Sequence, residues 1–388
     1  MKDKAGWNKY RHKRREIEPQ ETELVIESLT NSGDGLGRQD KRVVFVPYTA
    51  PGDKVRIKIT QRKKTFAIAE VVELIEPSPD RVDAPCQYFR QCGGCDWQHI
   101  PYAIQLQAKF DQLQDTLKRI GMLDQLPIEP VLASKQHYAY RNRIQGEIRN
   151  GAFHYKRRRS DQSIAIARCE IAEDAINEFL TSNLTKTVQG RVELSVTEGT
   201  VCVLPVQDNN STELGFRQVN TAVGDALTGL ILENIDSDHY ERIIDLYCGR
   251  GHWTNLIAQQ HPQTQVIGVD SSADNIDIAR QVAKHDGHKN TLFHHADVQR
   301  TLKKLKLANS VCIVDPPRSG LDASVIDHLL AEPCQRLIYV SCHPATLARD
   351  LKKLTEYHYV IKHMQPLDMF PQTAHLECLV TLNRRDLT

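Results

Sequence analysis

Short runs of alternating apolar and polar residues open the ordered part of the chain. From Glu23 to about Glu76, Leu24-Val25-Ile26, Arg42 to Pro47, Lys54 to Ile59 and Phe66 to Val72 read as strands. Turn signals at Ser32-Gly33-Asp34-Gly35 and Pro51-Gly52-Asp53 separate them, and four or five such strands predict a small β-barrel. Residues 101 to 120 place Leu106, Phe110, Leu113, Leu117 and Ile120 at steps of four and three before Gly121, which predicts an amphipathic helix with a stop signal. Strand-like runs return from Tyr138 to about Val219. The last third then alternates. Apolar runs at Ile243 to Tyr247, Val266 to Asp270, Thr291 to Phe293, Val311 to Asp315 and Leu337 to Val340 are separated by helical stretches such as Ala273 to Asp286. That rhythm predicts a doubly wound α/β sheet.

Composition adds a frame. A chain of 388 residues is too long for one core. The patterning divides it into a basic arm without periodicity (1–20), the barrel (21–78), a central β-rich region (79–218) and the α/β domain (219–388). No apolar run approaches the ~18 residues of a membrane span, and the basic N-terminus has no apolar segment behind it, so a cytoplasmic protein is expected; a monomer is the expected state. The net charge of +1 conceals two basic stretches, one in residues 1–20 and one in 141–168 with Arg141, Arg143, Arg149, Lys156, Arg157, Arg158, Arg159 and Arg168. Separated basic patches on a neutral chain suggest a polyanion footprint, because phosphate neutralisation is the sequence-independent part of nucleic-acid affinity.

Cysteine usage changes the picture further. Ten cysteines at irregular spacing and no export signal argue for metal, cluster or catalytic use rather than a disulfide framework. Cys86, Cys92 and Cys95 fall within one glycine-containing stretch and form a ligand set wanting a fourth thiolate, for iron–sulfur or zinc. Cys169 is the leading fourth, with Cys202 and Cys248 as alternatives. After the first α/β strand, Asp245-Leu246-Tyr247-Cys248-Gly249-Arg250-Gly251-His252 gives a backbone that can approach a ligand closely at a helix start. Asp270 and Asp297 follow the next two strands, where acids can accept from ribose hydroxyls and from an adenine amino group. A pocket of this kind without a phosphate-binding lysine favours S-adenosylmethionine over ATP. Finally, Cys342 sits where the run Arg336 to Val340 gives way to Ser341-Cys342-His343-Pro344, at the carboxyl end of a strand, and is a candidate nucleophile.

Taken together these segments resemble a known family. Gly33-x-Gly35-x-Gly37, Val44 to Pro47 and Pro51-Gly52-Asp53 resemble the TRAM domain, an OB-like RNA-binding barrel. Cys86 to Cys95, Asp245 to Gly251, Asp315-Pro316-Pro317-Arg318-Ser319-Gly320, Ser341 to Asp350 and Phe370-Pro371-Gln372-Thr373-Ala374-His375-Leu376-Glu377 resemble the RNA (uracil-5-)-methyltransferases, most closely the 23S ribosomal RNA branch. The resemblance implies a TRAM barrel, a central RNA-binding region holding a [4Fe-4S] cluster on Cys86, Cys92, Cys95 and Cys169, and a class I (Rossmann-like) methyltransferase domain. It implies S-adenosylmethionine contacts from Gln218, Tyr247, His252, Asp270 and Asp315.

Uracil C5 is a poor nucleophile, so a thiolate must first add to C6. Cys342 supplies it, and Glu377 is the base that removes the C5 proton. The target uridine must be flipped out of its stack. Three departures from the family pattern stand out: His343 where Asn is usual, Asp270 where Glu is usual, and His252 where Asn is usual. Two other functions are carried forward. One is the same chemistry on tRNA, which the barrel and cysteine set are taken to disfavour. The other is a non-catalytic RNA-binding or ribosome-assembly factor, against which the joint presence of Cys342 and Glu377 counts.

Overall fold

The computed structural model describes residues 21–182, 188–206, 218–235 and 240–385; the basic arm read over residues 1–20 lies outside the described residues. The chain divides into two compact units, residues 1–81 and 82–388.

The first unit is a closed five-stranded barrel formed by β1 (Glu21–Leu29), β2 (Asp34–Gln39), β3 (Arg42–Pro47), β4 (Lys54–Arg62) and β5 (Phe66–Glu76), ordered β1-β2-β3-β5-β4. Alternation does the work the sequence suggests: Leu24, Ile26, Val44, Val46, Val55, Ile57, Ile59, Ala67 and Ala69 point inward and pack together. The glycine run has a steric cause. A Cβ on Gly35 would lie 2.1 Å from Thr49 Oγ1, and one on Gly37 would lie 2.5 Å from the Val25 carbonyl oxygen, so larger residues would force the strands apart.

In the second unit, α1 (Tyr102–Thr116) continues through one π-helical turn, Leu117–Gly121. The helix is where the pattern predicts it, but its buried face is different. Gln105, Lys109, Leu113 and Thr116 are buried, whereas Ile120 is exposed. Three polar side chains, Gln105, Lys109 and Thr116, therefore lie on the buried face.

A five-stranded antiparallel sheet follows, ordered β10-β9-β6-β7-β8, from β6 (Arg143–Arg149), β7 (Ala152–Lys156), β8 (Ser163–Ile166), β9 (Gly190–Thr197) and β10 (Thr200–Pro205). A helix absent from the sequence reading, α2 (Asp174–Ser182), lies between β8 and β9 and supplies Ile176 and Leu180 to the core formed with Ile144, Ile148, Phe153, Val192 and Leu194.

The last part is a seven-stranded sheet ordered β13-β12-β11-β14-β15-β17-β16. Its strands are β11 (Arg242–Leu246), β12 (Gln265–Asp270), β13 (Thr291–His295), β14 (Ser310–Val314), β15 (Arg336–Ser341), β16 (Tyr359–Leu367) and β17 (Glu377–Arg384). Five are parallel, and β17 runs antiparallel between β15 and β16. The intervening helices include α3 (Thr221–Glu233), α4 (His252–Gln260), α5 (Ala273–His285), α6 (Val298–Leu302), α7 (Ala323–Ala331) and α8 (Pro344–Tyr357). Near-continuous apolar strands such as Ser310–Val314, buried at every position, suit a sheet covered on both faces. Among the described residues no helix is long and apolar enough to cross a membrane.

Candidate active site

The carboxyl ends of β11, β12, β14 and β15 lie along one edge of this sheet, so the residues that follow them share that edge. Order reverses after β11, whose neighbours are β12 on one side and β14 on the other, which is where open α/β sheets bind ligands.

After β11 the chain makes a turn in which Tyr247 (φ 65), Gly249 (φ 53) and Gly251 (φ 72) all adopt left-handed backbone. For tyrosine this conformation is strained, and such strain collects at ligand sites. Gly251 is also demanded by packing, since a Cβ there would sit 2.8 Å from that of Ala279. Asp270, at the end of β12, accepts from Gly249 N at 3.0 Å and from Ser272 N at 2.8 Å. It thus holds the glycine turn in place while retaining acceptor capacity. Asp297 caps α6, accepting from Gln299 N at 2.8 Å. His252 is the first residue of α4. Gln218 precedes α3, and its carbonyl accepts from Asn142 Nδ2 at 3.0 Å, tying it to the central region.

Sheet register brings the two candidate catalytic residues together. Ser341 on β15 pairs with Cys378 on β17, so the next positions along, Cys342 and Glu377, lie opposite each other. Their charges interact accordingly. Burial pushes the Cys342 thiol up to about 11, the Glu377 carboxylate adds to the rise, the Arg318 guanidinium opposes it, and Asp315 adds again. Glu377 is buried, and burial followed by the Asp315 charge drives its carboxyl well above the usual range, with Arg318 opposing. Asp315, just past β14, is pushed up to about 7 by burial and by Asp245. Asp245 in turn is pushed up to about 7, chiefly by burial, although it accepts from Thr254 Oγ1 at 2.6 Å. The site therefore sets Cys342 and Glu377 between the Asp315 charge and the Arg318 guanidinium, an environment in which a carboxylate is an avid proton acceptor.

The turn carrying Cys342 is itself fixed. His343 N donates to Ser341 Oγ at 3.2 Å, and the His343 ring Nδ1 accepts from Thr346 N at 3.3 Å, capping α8 ahead of Pro344. This explains the departure from asparagine: both side chains present an acceptor to the first turn of the helix. Burial and then Arg318 hold the imidazole below its ordinary range, so it stays neutral and able to accept.

Arg318, whose role the sequence reading did not foresee, is also anchored. Thr346 Oγ1 donates to its carbonyl at 3.2 Å, and Arg349 reaches the Ser319 and Leu321 carbonyls at 3.0 and 3.2 Å. Buried Asp350 accepts from Leu321 N and from Tyr339 Oη, both at 2.8 Å. Gly320 is required in this clamp, because a Cβ would lie 2.6 Å from Asp350 Oδ2.

The predicted metal ligands come together elsewhere in the same unit. Cys86, Cys92, Cys95 and Cys169 line one cavity of about 300 Å³, with Arg141, Arg143 and Gln145 on its wall. Of the alternative fourth thiols, Cys202 lies on β10 and Cys248 in the turn after β11. Burial, and then the charges of neighbouring thiols, raise Cys92 to about 11 and Cys95 well above its ordinary value. Among the described residues no group of three or more His, Cys, Asp or Glu side chains is placed to hold a metal ion, so the arrangement of these thiols lends no support to the cluster expected on Cys86, Cys92, Cys95 and Cys169, or to zinc in its place.

Comparison with known proteins follows the same division. The profile of the tRNA (uracil-5-)-methyltransferase family matches residues 201–385. The TRAM domain of tRNA (uracil(54)-C(5))-methyltransferase matches residues 22–79. An uncharacterized RNA methyltransferase of Thermosynechococcus vestitus is 32% identical, covering 93% of this chain and 97% of its own. Another, from Bdellovibrio bacteriovorus, is 32% identical over 92% of this chain and 94% of its own. The crystal structure of Pyrococcus abyssi tRNA (uracil-54, C5)-methyltransferase with S-adenosyl-L-homocysteine shares the fold, with a TM-score of 0.68, 24% identity, and coverage of 93% of this chain and 100% of that one.

Proposed function

The chain belongs to the TRAM-containing RNA (uracil-5-)-methyltransferases, and we propose that it transfers a methyl group from S-adenosylmethionine to C5 of a uridine in 23S ribosomal RNA. The observation that carries this reading is the β15–β17 register, which sets a thiol and a carboxyl opposite each other at the active edge of the sheet.

Cys342, as thiolate, adds to uracil C6 and moves the C5–C6 π pair toward C5 and the C4 carbonyl. Gln218, Tyr247, His252, Asp270, Asp297 and Asp315 would hold S-adenosylmethionine along the edge as co-substrate; C5 takes up its methyl group as the S–CH3 bond breaks and S-adenosylhomocysteine leaves. Glu377 then removes the C5 proton, the double bond re-forms, and the Cys342 thiolate leaves. Asp315 and Gln218 also hydrogen-bond the uracil edge in this reading. The flipped base requires RNA held elsewhere, which is the part given to the barrel and to the basic strands β6 and β7.

Arg318 gives this chemistry a pH signature. With the thiol near 11, only about one part in 10³ is thiolate at pH 8, so the adduct-forming rate climbs with pH. Arg318→Met removes the charge that favours the thiolate, so its rise moves to higher pH and its deficit shrinks as pH increases. A rate–pH profile for adduct formation checks this; a deficit that is constant with pH excludes the electrostatic role.

The four thiols around the cavity are assigned to a [4Fe-4S] cluster with a structural role, since four thiolates leave it no open position. Protein prepared without oxygen is then brown and contains iron, and Cys92→Ser is not. Colourless protein with one zinc per chain would reverse the assignment.

Transfer RNA is the second reading, and one sequence expectation changes here. The barrel is matched by the TRAM domain of a tRNA enzyme, so its presence does not argue against tRNA. Labelled methyl transfer to 23S rRNA fragments and to tRNA transcripts decides. Label recovered as 5-methyluridine in the rRNA supports the proposal, and label confined to tRNA overturns its substrate while leaving the chemistry intact.

A further inference from the structure

The polar face of α1 has no part in the chemistry above, yet it is buried against the segment that ends at the proposed base. Lys109 Nζ donates to Asp368 Oδ1 at 2.6 Å and to the Phe370 carbonyl at 3.1 Å, and both side chains of the ion pair are 0% exposed. Gln105 meets Gln372 twice: its Nε2 donates to Gln372 Oε1 at 2.9 Å, and its Oε1 accepts from Gln372 N at 3.0 Å. Gln372 holds left-handed backbone, φ 69, a conformation that needs such support. The opposite side is tied as well, since the Gln372 carbonyl accepts from Asp96 N at 2.9 Å and Trp97 N at 3.0 Å.

What this brace touches is specific. Asp368 directly follows Leu367, and Leu367 pairs with Glu377 in the last rung of the β16–β17 ladder. The end rung of a hairpin is its least secured, and here a nine-residue connection, Asp368 to Leu376, leaves it. A buried ion pair is seldom the most stable filling for a core, and its best-attested use is to fix register. We infer that Lys109 and Gln105 are positioning residues for Glu377, holding the rung that carries the base so that its carboxylate faces C5 of the Cys342-bound uracil. This rests on the proposed role of Glu377.

The step such positioning governs is resolution of the adduct, not its formation. Phe370 N also donates to Asp368 Oδ1 at 3.3 Å, so Lys109→Met combined with Asp368→Asn removes both charges of the pair, keeps that acceptor and avoids stranding a buried charge; Gln105→Met is the milder second variant. With ordinary uridine RNA and S-adenosylmethionine, each is expected to form the covalent RNA–protein species at the wild-type rate. Each then resolves it more slowly, by on the order of 10²-fold for a displacement near 1 Å, so that methylated adduct accumulates on denaturing gels. Thermal melting establishes that the protein tested is folded. A folded double variant that resolves adduct at the wild-type rate overturns the inference. So does one in which formation and turnover fall together with no accumulation. Glu377→Gln run alongside separates the two levels: if it accumulates adduct and the α1 variants do not, only the positioning role fails, and if it does not accumulate adduct, the role of Glu377 itself fails.

Discussion

Cys342→Ala is expected to lower the methylation rate by on the order of 10⁴- to 10⁶-fold, the scale seen when a covalent nucleophile is removed, with RNA binding unchanged. The reason is chemical. Without addition at C6 there is no electron-rich carbon at C5, and the nucleophiles nearest in the chain and across the ladder cannot substitute: Ser341 is buried and engaged with His343, and Cys378 faces the core at 1% exposure. Cys342 is half-buried just beyond the end of β15, and its turn is tied at Ser341, His343 and Thr346. The check is methyl incorporation into RNA together with a filter-binding isotherm. A variant that retains more than a small fraction of activity would mean that the methyl group is transferred without covalent catalysis.

Glu377→Gln has a different expected result. Adduct formation and methyl transfer proceed, but the C5 proton is no longer removed, so turnover falls by about 10²- to 10⁴-fold and a methylated RNA–protein species builds up. The wild-type carboxyl is suited to the step because burial and the Asp315 charge raise its proton affinity. The sign can be followed with pH. A carboxyl displaced upward is protonated, and unable to act as base, below its shifted value, so resolution slows as pH falls toward the ordinary carboxylate range. In Glu377→Gln the same step loses that dependence. Denaturing gels and single-turnover kinetics with labelled S-adenosylmethionine distinguish this from a simple loss of activity.

How far these residues could be read from the chain depends on what kind of signal places them. Cys342 was legible because an apolar strand ends in a Ser-Cys-His-Pro turn, and the barrel because alternation and the glycine run are local patterns. The neighbourhood of Cys342 was not. Glu377 comes opposite it because β17 inserts antiparallel between β15 and β16, a pairing that no local periodicity encodes; the motif resemblance names the partner, and the register sets the two positions opposite each other. Lys109 shows the limit most clearly. Hydrophobic spacing put Leu106, Phe110 and Ile120 on the inner face of α1, but the segment beside it ends in backbone groups and a carboxylate that require polar partners. Gln105 and Lys109 meet them, and the helix is rotated accordingly. The segment Asp174–Ser182 carries no clear helical signal because it sits among strand-like runs, and packing of Ile176 and Leu180 into the core of the central sheet goes with its being a helix. Asp270 and Asp297 show the opposite case, since each makes the helix-start or turn contacts that such acids make anywhere, and their sharing of one edge with Asp315 is what the topology adds.

The central claim is that Cys342 bonds to C6 of the target uracil while a methyl group is added at C5. It is tested most directly with RNA carrying 5-fluorouridine, whose C5 fluorine Glu377 cannot remove as a proton. After a single turnover with S-adenosylmethionine, digestion and peptide mass measurement should find the peptide containing Cys342 carrying a methylated 5-fluorouridine nucleotide. An adduct on any other residue, or none at all while the same preparation methylates ordinary RNA, would contradict it.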